Sequence, residues 1–282
     1  MFFSYSTCWS RRSIWPWGVL WLLGVCCWGC GTEGTRTNQR LLLATTTSTR
    51  DSGLLDLLLP PFEKEHQVRV EVIATGTGKA LKLGEMGDVD VLFVHARQAE
   101  DAFMAAGHGI RHEEVMFNTF ELLGPPADPA EMRGLTASNA LLKIAEVGAP
   151  FISRGDDSGT HQRELILWKA VGKLPDWPSY RESGQGMGAT LTIADQLMAY
   201  VLTDRGTFLN FRDKIDLVPL ATQSDVLKNP YSIIVVNPKK HPDVRSTLAN
   251  AFVDYLISPA AQQLIANYRL AGEALFRPLR ID

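Results

Sequence analysis

Three short stretches, Thr45-Thr46-Thr47-Ser48, Thr75-Gly76-Thr77-Gly78-Lys79 and Arg154-Gly155-Asp156-Asp157-Ser158-Gly159-Thr160-His161, concentrate hydroxyls and glycines where an apolar run gives way to a helical one. Turns of this kind suit anions. The first backbone N–H groups of a helix have no intrahelical partner, and the macrodipole places roughly +0.5 elementary charge there. A dianion can therefore be held without a full counter-charge. The hydroxyls of Thr46, Thr47, Ser48, Thr77, Ser158 and Thr160 can add donors aimed at separate oxygens, and Gly159 lets backbone come close because it has no Cβ. Arg154 adds a permanent cation whose planar fork bonds two oxygens of one ligand. Asp156 and Asp157 can orient that guanidinium by a salt bridge. A single hydroxyl-rich turn is most often only an N-cap. Three in one chain, with an arginine, point to an oxyanion site. Lys79 reads as a solvated helix residue and His161 as a capping or exposed one, while Gly184-Gln185-Gly186-Met187-Gly188 forms a second-tier turn.

The elements that must position these turns alternate strand and helix. Leu41 to Ala44 is a short apolar run before the first turn, and Leu54, Leu55, Leu58 and Phe62 recur at helical spacing after it. Pro60 and Pro61 predict a kink or an early stop in that helix. Strands are expected at Val68–Ala74, Asp88–Val94, Val115–Leu123, Pro150–Arg154, Leu217–Leu220 and Tyr231–Val236. Helices are expected at Arg97–Ala106, Ala140–Val147, Ala189–Gln196, Asp243–Ile257 and, after a Ser258-Pro259 start signal, Ala260–Tyr268. The alternation implies parallel sheets with ligands at the carboxyl ends of the strands. Gly124-Pro125-Pro126 is a candidate lobe boundary.

The chain has 282 residues, with 45% hydrophobic and 21% charged, ordinary values for a globular α/β protein of two lobes. A net charge of -3 leaves no basic stripe for nucleic acid, so attraction of an anion must be local. Arg11 and Arg12 precede the apolar run Ile14 to Trp28, which reads as an export signal. All four cysteines, Cys8, Cys26, Cys27 and Cys30, lie in or beside it, so no disulfide is expected in the body. A cysteine cluster closing the run resembles a lipobox, with Cys30 as the lipid anchor and residues 31–40 as a linker.

The segments LLATTTSTRDSGLL, ATGTGKAL, DVDVLFVHAR, PFISRGDDSGTH, GQGMGATL and NPYSIIVVNP resemble the tungstate-binding proteins of TupA-like ABC importers, over essentially the whole body from Leu41 onward. The resemblance implies a type II periplasmic-binding-protein fold: two α/β lobes, an anion cleft between them and two hinge strands. The first lobe would comprise 41–118 and 230–282, the second 119–229, after a leader at 1–30. The implied ligand-binding residues are Thr46, Thr47, Ser48, Thr77, Arg154, Ser158 and Thr160, with Gly159 beside them. The implied partners are a tungstate or molybdate oxyanion, an importer permease with its ATPase, and a membrane reached through the lipid anchor. The chain is expected to be extracytoplasmic, a monomer, and without cofactor, nucleic acid or bound metal cation.

A phosphate-binding protein of an importer is the nearest alternative, since its SGT-type loop is similar to Arg154–Thr160 and Asp156 or Asp157 could accept the proton of a monohydrogen ion. A hydrolase acting on an anionic substrate is the alternative of another class. Against it, Gly76-Thr77-Gly78-Lys79 lacks the first glycine and the final hydroxyl of a P-loop, having Ile73 and Ala80 there. Asp156 occupies the position where a nucleophile elbow around Ser158 needs glycine.

Overall fold

The computed structural model describes residues 39–281. In chain order, β1 (Gln39–Thr46), α1 (Thr47–Asp51), α2 (Leu54–His66), β2 (Val68–Thr75), α3 (Thr77–Met86), β3 (Val91–Val94), α4 (Arg97–Ala105) and the long β4 (Gly109–Gly124) come first. They lead into α5 (Ala137–Glu146), β5 (Phe151–Ser153), α6 (Gly159–Ala170), β6 (Tyr180–Glu182), α7 (Met187–Gln196), β7 (Val201–Asp204), α8 (Arg205–Phe211) and β8 (Val218–Pro219). Then β9 (Lys228–Val236) returns, followed by α9 (Ser246–Leu256), α10 (Pro259–Asn267) and the short β10 (Arg269–Leu270), β11 (Glu273–Ala274) and β12 (Arg277–Pro278). The expected leader and Cys30 lie outside the described residues, and β1 begins two residues inside the stretch read as linker.

The main sheet runs β12-β4-β9-β3-β1-β2. Its central strands are apolar on both faces, as expected when helices cover both sides. Leu41, Leu43, Val91, Phe93, Ile233 and Val235 point to one face, against Leu54, Leu58 and Phe62 of α2 and Phe252 and Val253 of α9. Ala44, Leu92, Val94, Ile234 and Val236 point to the other, against Ala80 and Leu81 of α3 and Phe103 of α4. This is one three-layer core. A second is built the same way beyond it: Phe120, Leu122, Phe151, Tyr200 and Leu202 meet α5 and α6 on one face, and Leu123, Ile152 and Val201 meet α7 on the other.

The sheet is mixed rather than parallel. β1 is parallel to β2 and β3, but β9 is antiparallel to both β3 and β4. The reason is connectivity: the chain leaves the first core along β4 and comes back along β9, so the two strands run in opposite senses side by side. Asn118 of β4 is the register partner of Asn229 of β9. Gly124-Pro125-Pro126 does not separate the cores, because β4 carries Phe120 and Leu122 into the second core before it ends there.

Pro60 and Pro61 do not stop α2, which continues to His66. The carbonyls they leave without an N–H partner belong to Asp56 and Leu57, both exposed, so water satisfies them while the opposite face stays buried. Ser258 caps α10 as its start signal implies, its hydroxyl accepting from the Ala261 N–H.

Candidate functional site

The register of the parallel strands gathers the first turns. Thr46 is level with Thr75 across β1 and β2, and Thr45 is level with Phe93 across β1 and β3. The residues that follow, Thr47-Ser48, Gly76-Thr77 and His95, therefore emerge at one carboxyl edge of the sheet. Thr45 ties the edge together by donating to the Phe93 carbonyl at 2.6 Å.

Thr46 is buried and caps α1. Its Oγ1 accepts from the Thr49 N–H at 3.2 Å and lies 2.6 Å from Thr49 Oγ1, 3.0 Å from Ser48 Oγ and 3.1 Å from His95 Nε2. Thr47 and Ser48 are exposed just beyond it. Thr77 opens α3, whose cap residue Gly76 offers no side chain, so the first N–H groups of that helix stay uncapped. A Cβ at Gly76 or Gly78 would meet nothing within 4 Å, which leaves the approach to those groups open.

The third turn sits at the start of α6. Ser158 caps the helix through its side chain, which accepts from the His161 N–H at 3.3 Å, and Thr160 is buried in the first turn. Gly155 has φ +62°, and a Cβ there would lie 2.5 Å from Glu182 Cβ, so the bend that carries Arg154 past β6 needs glycine. The GQGMG turn packs directly behind it: the Gly184 N–H and the Ser183 hydroxyl donate to the Arg154 carbonyl at 2.8 and 3.2 Å.

Arg154 donates from one terminal nitrogen to Asp156 Oδ2, leaving its Nε buried without an acceptor among the described residues. A buried guanidinium N–H without a partner is costly unless an acceptor arrives, and a multi-oxygen anion supplies one. Asp156 is held inside the loop by both oxygens, since Oδ1 accepts from the Ser158 N–H at 3.2 Å. Partial burial works to raise the Asp156 pKa, but the Ser158 hydrogen bond and the Arg154 charge outweigh it and hold the carboxyl below its ordinary range. Asp157 accepts from Gln162 Nε2 at 3.2 Å. The half-buried His161 takes the Asp157 N–H on Nδ1 at 3.0 Å, holding the loop just ahead of α6, and its buried Nε2 has no partner among the described residues.

The third turn meets the first two at His95. A Cβ at Gly159 would be 4.0 Å from His95 Cε1, which sets the start of α6 against the carboxyl edge of the sheet. Arg163, one turn on, donates to the Lys228 carbonyl and lies 5.6 Å above the Phe120 ring, tying α6 to β9 and β4. Burial lowers the Arg163 pKa. Thus Thr46, Ser48, His95 and Gly159 are in direct or near contact, Thr77 joins through strand register, and Arg154, Ser158 and Thr160 share the loop that Gly159 brings in.

The comparisons with known proteins agree with this architecture. Residues 31–260 match the model of a PBP superfamily domain. A tungstate binding protein, TupA, from Desulfovibrio alaskensis superposes with a TM-score of 0.82 at 44% identity, covering 86% of this chain and 99% of that one. The structure titled as the tungstate ABC transporter from Geobacter sulfurreducens superposes at 0.73 with 54% identity, covering 81% and 98%. The tungstate-binding protein TupA of Peptoclostridium acidaminophilum is 44% identical over 251 residues, covering 87% of this chain and 88% of that protein. The chain belongs to the TupA-like family of the PBP superfamily. The two-lobe fold of that family accounts for the two cores, with β4 and β9 as the strands that pass between them. His95 is the residue of this candidate site that the linear sequence does not single out. Only the level ends of β1 and β3, and a β9 residue far along the chain, give it its place.

Proposed function

We propose that the chain captures tungstate outside the cytoplasm and delivers it to an ABC importer, as the names of its TupA relatives suggest. Arg154 carries the reading: a half-buried guanidinium with an unpartnered Nε among the described residues, on the loop whose Gly159 meets the carboxyl edge of the sheet, where the α3 start is uncapped and hydroxyls are exposed. Thr47, Ser48, Thr77, Arg154, Ser158, Gly159 and Thr160 would surround the anion, while Thr46 holds the turn from beneath. The lobes would comprise 41–118 with 230–282, and 119–229, and would close on the anion by bending where Asn118 faces Asn229.

The carboxylates of that loop weigh against phosphate. A monohydrogen phosphate needs an acceptor for its proton, and both Asp156 oxygens are turned into the loop, to Arg154 and to the Ser158 N–H, while Asp157 Oδ1 takes the Gln162 side chain. A site made of donors favours an anion that carries no proton near neutral pH. Titration calorimetry with tungstate, molybdate, sulfate and phosphate is the test. Tight binding of tungstate with weak or absent phosphate is expected, and phosphate binding tightest would overturn the assignment. Catalysis is not part of the reading, since the His161 ring is turned to the Asp157 N–H rather than to the Ser158 hydroxyl.

Membrane attachment through Cys30 and a monomeric state belong to the same proposal. Among the described residues, no helix is long and apolar enough to cross a membrane. Replacing Cys30 with Ser should release the full-length chain from the membrane fraction, and sedimentation of the released protein should give the monomer mass.

A further inference from the structure

We propose that His95 is a positioning residue for the bound anion: it fixes the donor direction of the Thr46 and Ser48 hydroxyls and joins them to the point where β4 and β9, side by side, pass between the cores. This rests on the oxyanion reading of the site and adds to it a residue and a route.

Hydrogen counting around the ring carries the proposal. Asn229 Nδ2 donates to Asn118 Oδ1 at 2.9 Å, which turns Asn229 Oδ1 toward His95 Nδ1 at 3.2 Å. Nδ1 is therefore the protonated nitrogen, and in the neutral ring Nε2 is a bare acceptor. Burial pushes the His95 pKa down, against the Asn229 hydrogen bond and the charges of Asp204 and Glu100, and so favours that neutral form. Thr46 Oγ1 already accepts from the Thr49 N–H, and Thr49 Oγ1, 2.6 Å away, can give it a second proton, so the single proton of Thr46 has its taker in His95 Nε2 at 3.1 Å. Ser48 Oγ, at 3.4 Å from the same nitrogen, then keeps its own proton for the ligand. Without that acceptor the Thr46 proton turns to Thr49 or to Ser48, 2.6 and 3.0 Å away, and the exposed Ser48 hydroxyl loses its fixed direction.

The other end of the ring is as well defined. His95 stacks on Tyr231 of β9 with ring centroids 4.5 Å apart, and the Tyr231 hydroxyl lies 3.3 Å from Asn118 Nδ2 and 3.5 Å from Asn229 Nδ2. Asn118 and Asn229 are buried polar residues, and buried amides are retained at a cost unless their partners are in place. One continuous chain of hydrogen bonds thus runs from the anion turn, through His95, to the paired asparagines on the two strands that link the cores. A change in how the anion holds Ser48 reaches those strands through Thr46 and His95.

The test uses the full chain with sodium tungstate as titrant. His95→Phe keeps the ring and its stack on Tyr231 but removes both nitrogens. We expect about a tenfold rise in Kd. Asn229→Ala should weaken binding by a similar factor, and the double variant should be no weaker than either single one, because both remove the same link. Wild-type affinity in His95→Phe, or losses that simply multiply in the double variant, would overturn the inference. Should His95→Phe fail to fold by near-ultraviolet circular dichroism, Asn229→Ala, which leaves the ring in place, decides it: unchanged affinity sinks the proposal and a loss supports it. A wild type that binds no oxyanion overturns the tungstate reading together with this one, whereas a binding wild type with unaffected variants overturns this one alone.

Discussion

Replacing Arg154 with Lys separates charge from geometry at the centre of the site. In the structure the guanidinium divides its donors: one terminal nitrogen serves Asp156, and Nε with the remaining N–H groups is left for the ligand. Lysine has one nitrogen, whose three donors radiate from a single point, so it cannot span Asp156 and two oxygens of the anion as the planar fork does. The variant therefore forfeits at least one charge-assisted hydrogen bond, about 1.5 to 3 kcal/mol, or roughly ten- to more than a hundredfold in affinity. The retained positive charge and an 18% exposed side chain place the expected loss toward the lower end of that range, about ten- to thirtyfold. Titration calorimetry at fixed ionic strength measures it, with a melting curve to show that the fold is intact. An affinity within twofold of wild type would remove Arg154 from the site and with it the main argument for the anion.

Gly155→Ala should destabilise the chain by about 2 to 4 kcal/mol, since the new Cβ combines left-handed backbone with a clash against Glu182; a melting temperature within a degree of wild type would contradict the strained bend. Glu164 is buried between Trp168 and Tyr180, and burial raises its pKa despite hydrogen bonds from Tyr180 and Trp168. An acid with a raised folded pKa loses stability as pH rises from its unfolded value, about 4.3, toward the folded one. Glu164→Gln should therefore melt near wild type at pH 4 and increasingly above it toward neutral pH, and a gap that does not change with pH would refute the assignment. Asp156 has the opposite sign: its depressed pKa stabilises the fold above the ordinary carboxylate range and is lost on acidification through the folded value. The melting-temperature deficit of Asp156→Asn at pH 7 should accordingly vanish in strong acid, and a deficit that persists there would point to packing instead.

What the sequence revealed was local. Hydroxyl and glycine clusters before a helical run describe strand-to-helix turns wherever they fall, and the apolar runs Leu41–Ala44 and Val91–Val94 announce strands covered on both faces. What it hid depends on partners far along the chain. His95 follows β3 with nothing nearby to mark it, because its neighbours are Thr46 and Ser48 on one side and Asn229 on the other. The antiparallel placement of β9 follows from a return crossing that no local pattern encodes. β6 and β7 are too short for periodicity to declare them. Pro60 and Pro61 misled because a proline on the wet face of a helix leaves only carbonyls that water can serve.

The pairing of Asn118 with Asn229 has a practical corollary for protein engineering. Partners across an antiparallel ladder stand only about 5 Å apart, so the stretch from 119 to 228 starts and finishes at nearly the same spot. It is an excursion of the chain that closes on itself. A relative's equivalent stretch could be transplanted through two neighbouring junctions, or the excursion replaced by a tight hairpin, while every strand of the remaining sheet keeps its neighbours.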